Sequence, residues 1–189
     1  MKKTFIIACL LFACGVTFGQ IAEKQTYLSD FKEEMKKKWP TNRTLNIVFH
    51  GHSVPSGYFH GGVVNTMQAY PHLTFHGIKA QYPFTVLNVI TTSIGGEQAE
   101  QGEKRFSDEV LTHRPDVLFI DYALNDRSIG LERSEKAWRK MIEKALEQNR
   151  KIVLLTPTPD LREDITEANA PLEAHVEMIR RLAPEYHVG

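Results

Sequence analysis

The sequence predicts an α/β fold, a three-layer αβα sandwich around a parallel sheet. Three observations carry that prediction. Four short apolar runs recur along the chain, and a stretch of helical character separates each run from the next. The runs are nearly continuous in apolar residues rather than alternating, as strands covered on both faces should be. Strand–helix–strand alternation of this kind gives a parallel sheet with helices on both sides.

Taken in order, the first element is a charged stretch at residues 24–38, expected as an exposed helix or helical lead-in. Trp39-Pro40 ends it, because proline disfavours helix at the residue before it. Leu45-Asn46-Ile47-Val48-Phe49 is the first strand, and Phe84 to Ile90 (FTVLNVI) is the second. Val117-Leu118-Phe119-Ile120 follows Arg114-Pro115-Asp116 as the third, and Ile152-Val153-Leu154-Leu155 is the fourth. Helices are expected at about Val64–Ala80, Glu97–Thr112, Ser134–Asn149 and Ala170–Ala183. His187-Val188 follows the last helix and reads as the start of a fifth strand. A doubly wound sheet normally continues there, so the chain is expected to stop short of the domain's last strand and helix.

Length and composition agree with one globular domain. The chain has 189 residues, 42% hydrophobic and 24% charged, which excludes a disordered chain, a coiled coil and a collagen-like repeat. Lys+Arg and Asp+Glu are both 23. No basic excess points to nucleic acid or an anionic membrane.

The N-terminus reads as an address. Lys2 and Lys3 precede a short apolar run, Phe5 to Phe12, too short for the ~20 residues a bilayer span needs. Small residues at Thr17 and Gly19 then suit cleavage before Gln20. The expected organisation is a signal peptide at 1–19, a lead-in at 20–44 and one domain at 45–189, with a secreted or periplasmic destination. Leu11-Phe12-Ala13-Cys14-Gly15 offers an alternative, lipid anchoring at Cys14. Cleavage removes Lys2 and Lys3, leaving 21 basic against 23 acidic residues, and removes Cys9 and Cys14, the only cysteines. A cysteine nucleophile, disulfide or Cys-ligated metal is thereby excluded from the mature chain.

In an open parallel sheet, ligands bind outside the carboxyl ends of the strands. After the first strand comes His50-Gly51-His52-Ser53-Val54-Pro55-Ser56-Gly57-Tyr58, where glycines flanking a serine allow a sharp turn that exposes its hydroxyl. After the second comes Thr91-Thr92-Ser93-Ile94-Gly95-Gly96-Glu97. Its glycine pair leaves backbone N–H groups open to an anion. After the third comes Asp121-Tyr122-Ala123-Leu124-Asn125-Asp126, whose Asn amide can donate to developing negative charge.

These three segments, in this order and each at a strand end, resemble the first three blocks of the SGNH hydrolases, also called the GDSL esterase/lipase family. The likeness runs from about Leu45 to Gly189. It implies a flavodoxin-like sheet and an ester hydrolase that needs no cofactor. Ser53 maps to the family's nucleophile, and Ser53, Gly96 and Asn125 to its oxyanion hole, with Gly95 the neighbouring alternative to Gly96. Two departures stand out. His52 replaces the family's Asp, which shapes the turn, and Ala123 stands where Gly is common. The family's last block, Asp-x-x-His, supplies the base and its orienter; it is absent from the sequence, so the base is expected beyond Gly189. The expected substrate is a small acyl ester such as a carbohydrate O-acetyl group. The alternative is a carbohydrate-binding module on the same fold, without catalysis.

The other candidates read as structural. His113 and His187 sit at the wrong edge of the sheet, and His175 on a surface-looking helix. Asp160, Glu163 and Asp164 follow the fourth strand and read as a solvated charge run. Trp138 and Arg139 read as packing and surface. Tyr58, Phe59 and Tyr70 are candidates for an acyl or sugar pocket or for the core. No metal is expected: His50, His52 and His60 could suggest one, but the expectation is that no Cys and no His-x-x-x-His helix supports it.

Overall fold

The computed structural model describes residues 21–160, 164 and 170–189. The expected signal peptide, with Cys9 and Cys14, and Glu163 lie outside the described residues.

Among the described residues four parallel strands, β1 (Thr44–Gly51), β2 (Val86–Thr91), β3 (Val117–Asp121) and β4 (Lys151–Leu154), form one sheet in the order β2-β1-β3-β4. This is the flavodoxin-like order. The register pairs Ile47 with both Val89 and Val117, and ends with Gly51 beside Asp121 at the carboxyl edge. At the far side of β4, Gly189 N–H donates to Ile152 O at 3.1 Å and Leu154 N–H donates to Gly189 O at 2.8 Å. Those two bonds are a parallel ladder rung, so the segment after the last helix does begin a fifth strand position.

The strands' alternating side chains feed two cores. Val48, Leu118, Ile120, Ile152 and Leu154 face helices α4 (Ala99–Glu109), α6 (Leu131–Glu147) and α7 (Pro171–Tyr186). On α6 the buried positions Ser134, Ala137, Trp138, Met141, Ile142 and Ala145 follow the three-four spacing of a single apolar stripe. Leu45, Ile47, Phe49, Leu87 and Val117 face the other way, against α1 (Ser29–Lys36) and α3 (Tyr70–Gln81). Phe49 stacks on Phe119 at 4.6 Å between ring centroids and meets Tyr70 edge-on at 5.5 Å.

Three expectations need correction. The lead-in is more than an exposed helix: Phe31 and Met35, one turn apart, bury against the second core. Tyr27 of the same segment ties it to β4, accepting from Ile152 N–H at 2.9 Å and donating to Ile152 O at 3.1 Å. The single helix expected at Val64–Ala80 is broken. Its first residues return in a small hairpin, with Asn65 N–H donating to Gly57 O at 2.7 Å, and a 3-10 turn at Thr66–Gln68 precedes α3. Pro71 decides where α3 begins, because a residue without N–H is accommodated in a helix's first turn and not in its interior. His175 is on the inner face of α7, 3% exposed, at the three-residue spacing set by Leu172 and Met178.

Candidate active site

The carboxyl ends of β1, β2 and β3 bring the three sequence-predicted segments together. β1 runs into a one-turn helix, α2 (Ser53–Ser56), whose N-cap is His52: its Nδ1 accepts from Val54 N–H at 3.3 Å. That is the turn-shaping work expected of the residue before the serine. After β2, Ile94 N–H donates to Gly51 O at 3.1 Å, docking the glycine pair against the β1 turn. After β3, a second one-turn helix, α5 (Ala123–Asp126), presents Asn125, whose Nδ2 donates to Glu97 O at 3.0 Å. The first and third segments meet through His52 Nε2, 3.4 Å from Asp121 Oδ1. Every pair of the three segments is therefore in direct contact.

Local chemistry suits an anion-binding turn. Gly96 takes φ +77°, a left-handed conformation that glycine adopts without strain, and it is exposed. Among the described residues neither Gly95 N–H nor Gly96 N–H has a backbone acceptor. The Asn125 amide carries two N–H groups. One is held by Glu97 O, which fixes the plane of the amide and leaves the second to donate elsewhere. Tyr58 closes one side. A Cβ at Gly95 would lie 2.9 Å from its ring and hydroxyl, so the phenol packs directly on that glycine while remaining half exposed.

Ser53 Oγ is 3.4 Å from His52 Nδ1, longer than the hydroxyl–imidazole contact a general base needs. The lone pair of that nitrogen already receives the Val54 N–H. Asp121 is shared between His52 and Tyr70, whose hydroxyl donates to Asp121 Oδ2 at 2.9 Å. Burial and the neighbouring carboxylate push the Tyr70 phenol far above its usual range.

Beneath the turn lies a buried polar network that sequence reasoning missed. His50 is fully buried on β1, with Nδ1 at 2.9 Å from Thr92 Oγ1 and Nε2 at 3.3 Å from Gly102 O and 3.1 Å from Tyr122 Oη. Tyr122 spends its hydroxyl proton on Glu97 Oε2 at 2.6 Å, and Arg105 Nε donates to Glu97 Oε1 at 2.7 Å. With Gly102 O an acceptor only, His50 carries its proton on Nε2. Burial, aided by the Arg105 charge, pushes its pKa down to about 3.

Asp126 is a second buried anchor. It accepts from Ala99 N–H at 2.7 Å, Ser134 Oγ at 2.6 Å and Trp138 Nε1 at 3.1 Å, joining α5 to the start of α4 and the inner face of α6. Asp160 is no solvated charge: it pairs with Arg127 at 2.6 Å with its side chain largely covered. The buried His175 lies near Asp126 and Arg127, and burial pushes its pKa down. Arg139 is a surface residue paired with Glu135 and Glu185. Phe59 is exposed.

The model of the GDSL-like lipase/acylhydrolase family matches residues 49–189, most of the chain and all three segments. The chain belongs to that family. The solved structures it resembles have the same fold. A GDSL-like lipase-type protein from Parabacteroides merdae superposes with a TM-score of 0.64 at 20% identity, over 80% of this chain and 78% of that one. An acetylxylan esterase from Geobacillus stearothermophilus gives 0.65 at 17%, over 76% and 74%. Catalytic mutants of that esterase replace an aspartate and the third residue after it, a histidine. A two-domain esterase active on acetylated mannans gives 0.60 at 21%, over 71% of this chain and 35% of that one. No curated protein sequence matches the chain. Membership of a family of lipases and acylhydrolases makes ester hydrolysis the class of activity. No described helix is long and apolar enough to cross a membrane.

One pair escaped the sequence analysis although its spacing is visible there. His72-Leu73-Thr74-Phe75-His76 is a His-x-x-x-His, and it lies wholly within α3. The two Nε2 atoms are 2.9 Å apart.

Proposed function

We propose that the protein is an exported serine ester hydrolase acting on a small acyl ester, a carbohydrate O-acetyl group, through an acyl-enzyme on Ser53. The observation that carries this reading is the mutual contact of the three strand-end segments, which gathers a turn serine, an open glycine pair and an oriented Asn amide at one edge of the sheet. In this reading Ser53 Oγ attacks the ester carbonyl. The negative charge that develops on the carbonyl oxygen is met by the N–H groups of Ser53 and Gly96 and the second N–H of Asn125. The alcohol leaves, the acyl group stays on Ser53, and water then releases it. Tyr58, packed on Gly95 and half exposed, forms the wall against which the acyl or sugar group rests. The carbohydrate assignment is supported by the fold-level neighbours that act on acetylated xylan and mannans, and export by the signal-like residues 1–19.

His52 shapes the turn in this mechanism and does not take the serine proton. That role goes to an Asp-x-x-His of the kind the family supplies, which none of the 189 residues provides. The 189-residue chain should therefore hydrolyse p-nitrophenyl acetate slowly, with no more than roughly the 10³–10⁴-fold residual acceleration of triad-deficient serine hydrolases. Imidazole supplied in solution should raise that rate as a diffusible base, and Ser53→Ala should abolish the rise. A rise of equal size in Ser53→Ala removes the serine from the mechanism. A second reading, a glycan-binding module on the same fold, is favoured by His52 standing where the family has Asp. Binding of acetylated oligosaccharide with no Ser53-dependent turnover at any imidazole concentration would establish it.

A further inference from the structure

We propose that His72 and His76 of α3 form a two-histidine chelate for a divalent transition metal ion, with Cu²⁺ and Ni²⁺ preferred to Zn²⁺. Residues four apart lie on one face of a helix, one turn above the other. Here both rings turn the same nitrogen inward, and the two Nε2 atoms share a hydrogen bond at 2.9 Å with the ring planes at 75°, so an ion would displace the one proton held between them. A cation about 2.05 Å from each nitrogen separates them by about 2.9 Å if it holds them at a right angle, and by about 3.3 Å if it is tetrahedral. Either bite lies within a few tenths of an ångström of the hydrogen-bonded spacing, and a pair that supplies two imidazoles and leaves the other positions to water suits tetragonal Cu²⁺ and octahedral Ni²⁺ better than a closed tetrahedral zinc cage.

The surroundings allow it. His76 is exposed and His72 half-buried, so an ion can reach both rings from solvent. His72 also lines a groove of about 380 Å³ between α3 and β2, whose walls include Pro55, Thr66, Phe75 and Thr91. Space for the remaining ligands of the ion, water molecules, is therefore open on that side. Among the described residues no third His, Cys, Asp or Glu completes a closed cage, so the site is an open one that exchanges its metal. An ion bridging positions 72 and 76 staples the first turns of α3, the helix whose Tyr70 holds Asp121. The proposal stands whether or not the protein hydrolyses esters.

The test uses the 189-residue chain without an affinity tag, titrated calorimetrically with NiCl₂ and checked by thermal unfolding with and without Ni²⁺. Wild type should bind one equivalent and gain stability, because the ion binds the folded helix in preference to the unfolded chain. His72→Gln and His76→Gln should each weaken binding by at least about tenfold, the loss expected when a chelate becomes a single ligand. A register control, His76→Gln with Gly77→His, keeps the number of histidines but moves one off the face. A Cβ at Gly77 meets nothing within 4 Å, so that variant should fold and still bind weakly. Failure of wild type to bind, a smaller loss in either single variant, or full binding by the register control overturns the site.

Discussion

At the residue scale, the Ser53 turn is held by a contact that no local pattern announces. His52 caps α2 through Nδ1 and faces Asp121 through Nε2, and Asp121 also receives the Tyr70 hydroxyl. Restoring the family's usual residue by His52→Asp keeps the acceptor for Val54 N–H, since a short carboxylate is a good N-cap. It also sets a second carboxylate beside Asp121 in a buried site. Two like charges about 4 Å apart repel by about 4 kcal/mol at an effective dielectric of 20. His52→Asp alone should therefore lower stability by a few kcal/mol, and the double variant His52→Asp/Asp121→Asn should recover most of the loss. Urea denaturation of the four proteins of the cycle measures the coupling; additive losses would show that His52 and Asp121 do not interact. The strand-end turns that carry Ser53, Gly96 and Asn125 were legible in the sequence because each is a short glycine- or small-residue segment directly after an apolar run. The partners of His50 and His52 were not. Tyr122 is 72 positions from His50, and only the register of β1 beside β3 brings Asp121 to the Ser53 turn.

At the element scale, strands were easier to read than helices. Burial on both faces makes β1, β3 and β4 continuous in apolar residues whatever they pack against. The one-turn helices α2 and α5 left no periodicity to detect. On α7 the stripe Leu172, His175, Met178, Ile179 and Leu182 contains a histidine, and a polar side chain in an apolar stripe is easily taken for a surface residue. Asp126 shows what holds the helices in place. Its carboxylate receives the first N–H of α4 and two side chains of α6, so one residue beside the candidate oxyanion donor fixes two helices to the sheet edge. Asp126→Ala leaves the Trp138 indole N–H, the Ser134 hydroxyl and the Ala99 N–H buried without their acceptor. The cost should be on the order of 3 kcal/mol. Asp126→Asn, which keeps one acceptor, should lose less. A loss below about 1 kcal/mol in Asp126→Ala, read from the urea midpoint at unchanged slope, would mean that water or a rotated side chain replaces the carboxylate.

At the scale of the whole molecule, the two cores meet across the sheet, and the polar network below the site runs through the middle of one of them. That placement makes folding sensitive to acid. His50 faces Arg105, Thr92, the Gly102 carbonyl and Tyr122, with the Glu97 carboxylate one hydrogen bond further on. In the unfolded chain a histidine takes up a proton near pH 6.5, whereas buried His50 resists protonation down to about 3. Between those values the unfolded state binds more protons, so stability rises with pH there. The contribution of His50 is complete above about pH 6.5 and is lost progressively as pH falls toward 3. Between pH 7 and pH 5 the loss should be about 2 kcal/mol from this one residue. His175, also held down by burial, adds to it in the same direction. His50→Gln keeps a donor and an acceptor but cannot titrate. It should be less stable than wild type at pH 7 and show a flatter fall between pH 7 and pH 5, with the His175 contribution remaining. Denaturant midpoints at closely spaced pH values give both slopes directly. Parallel curves for the two proteins would mean that His50 is protonated in the fold without penalty, and that its bonds to Gly102 and Tyr122 hold an imidazolium rather than a neutral ring.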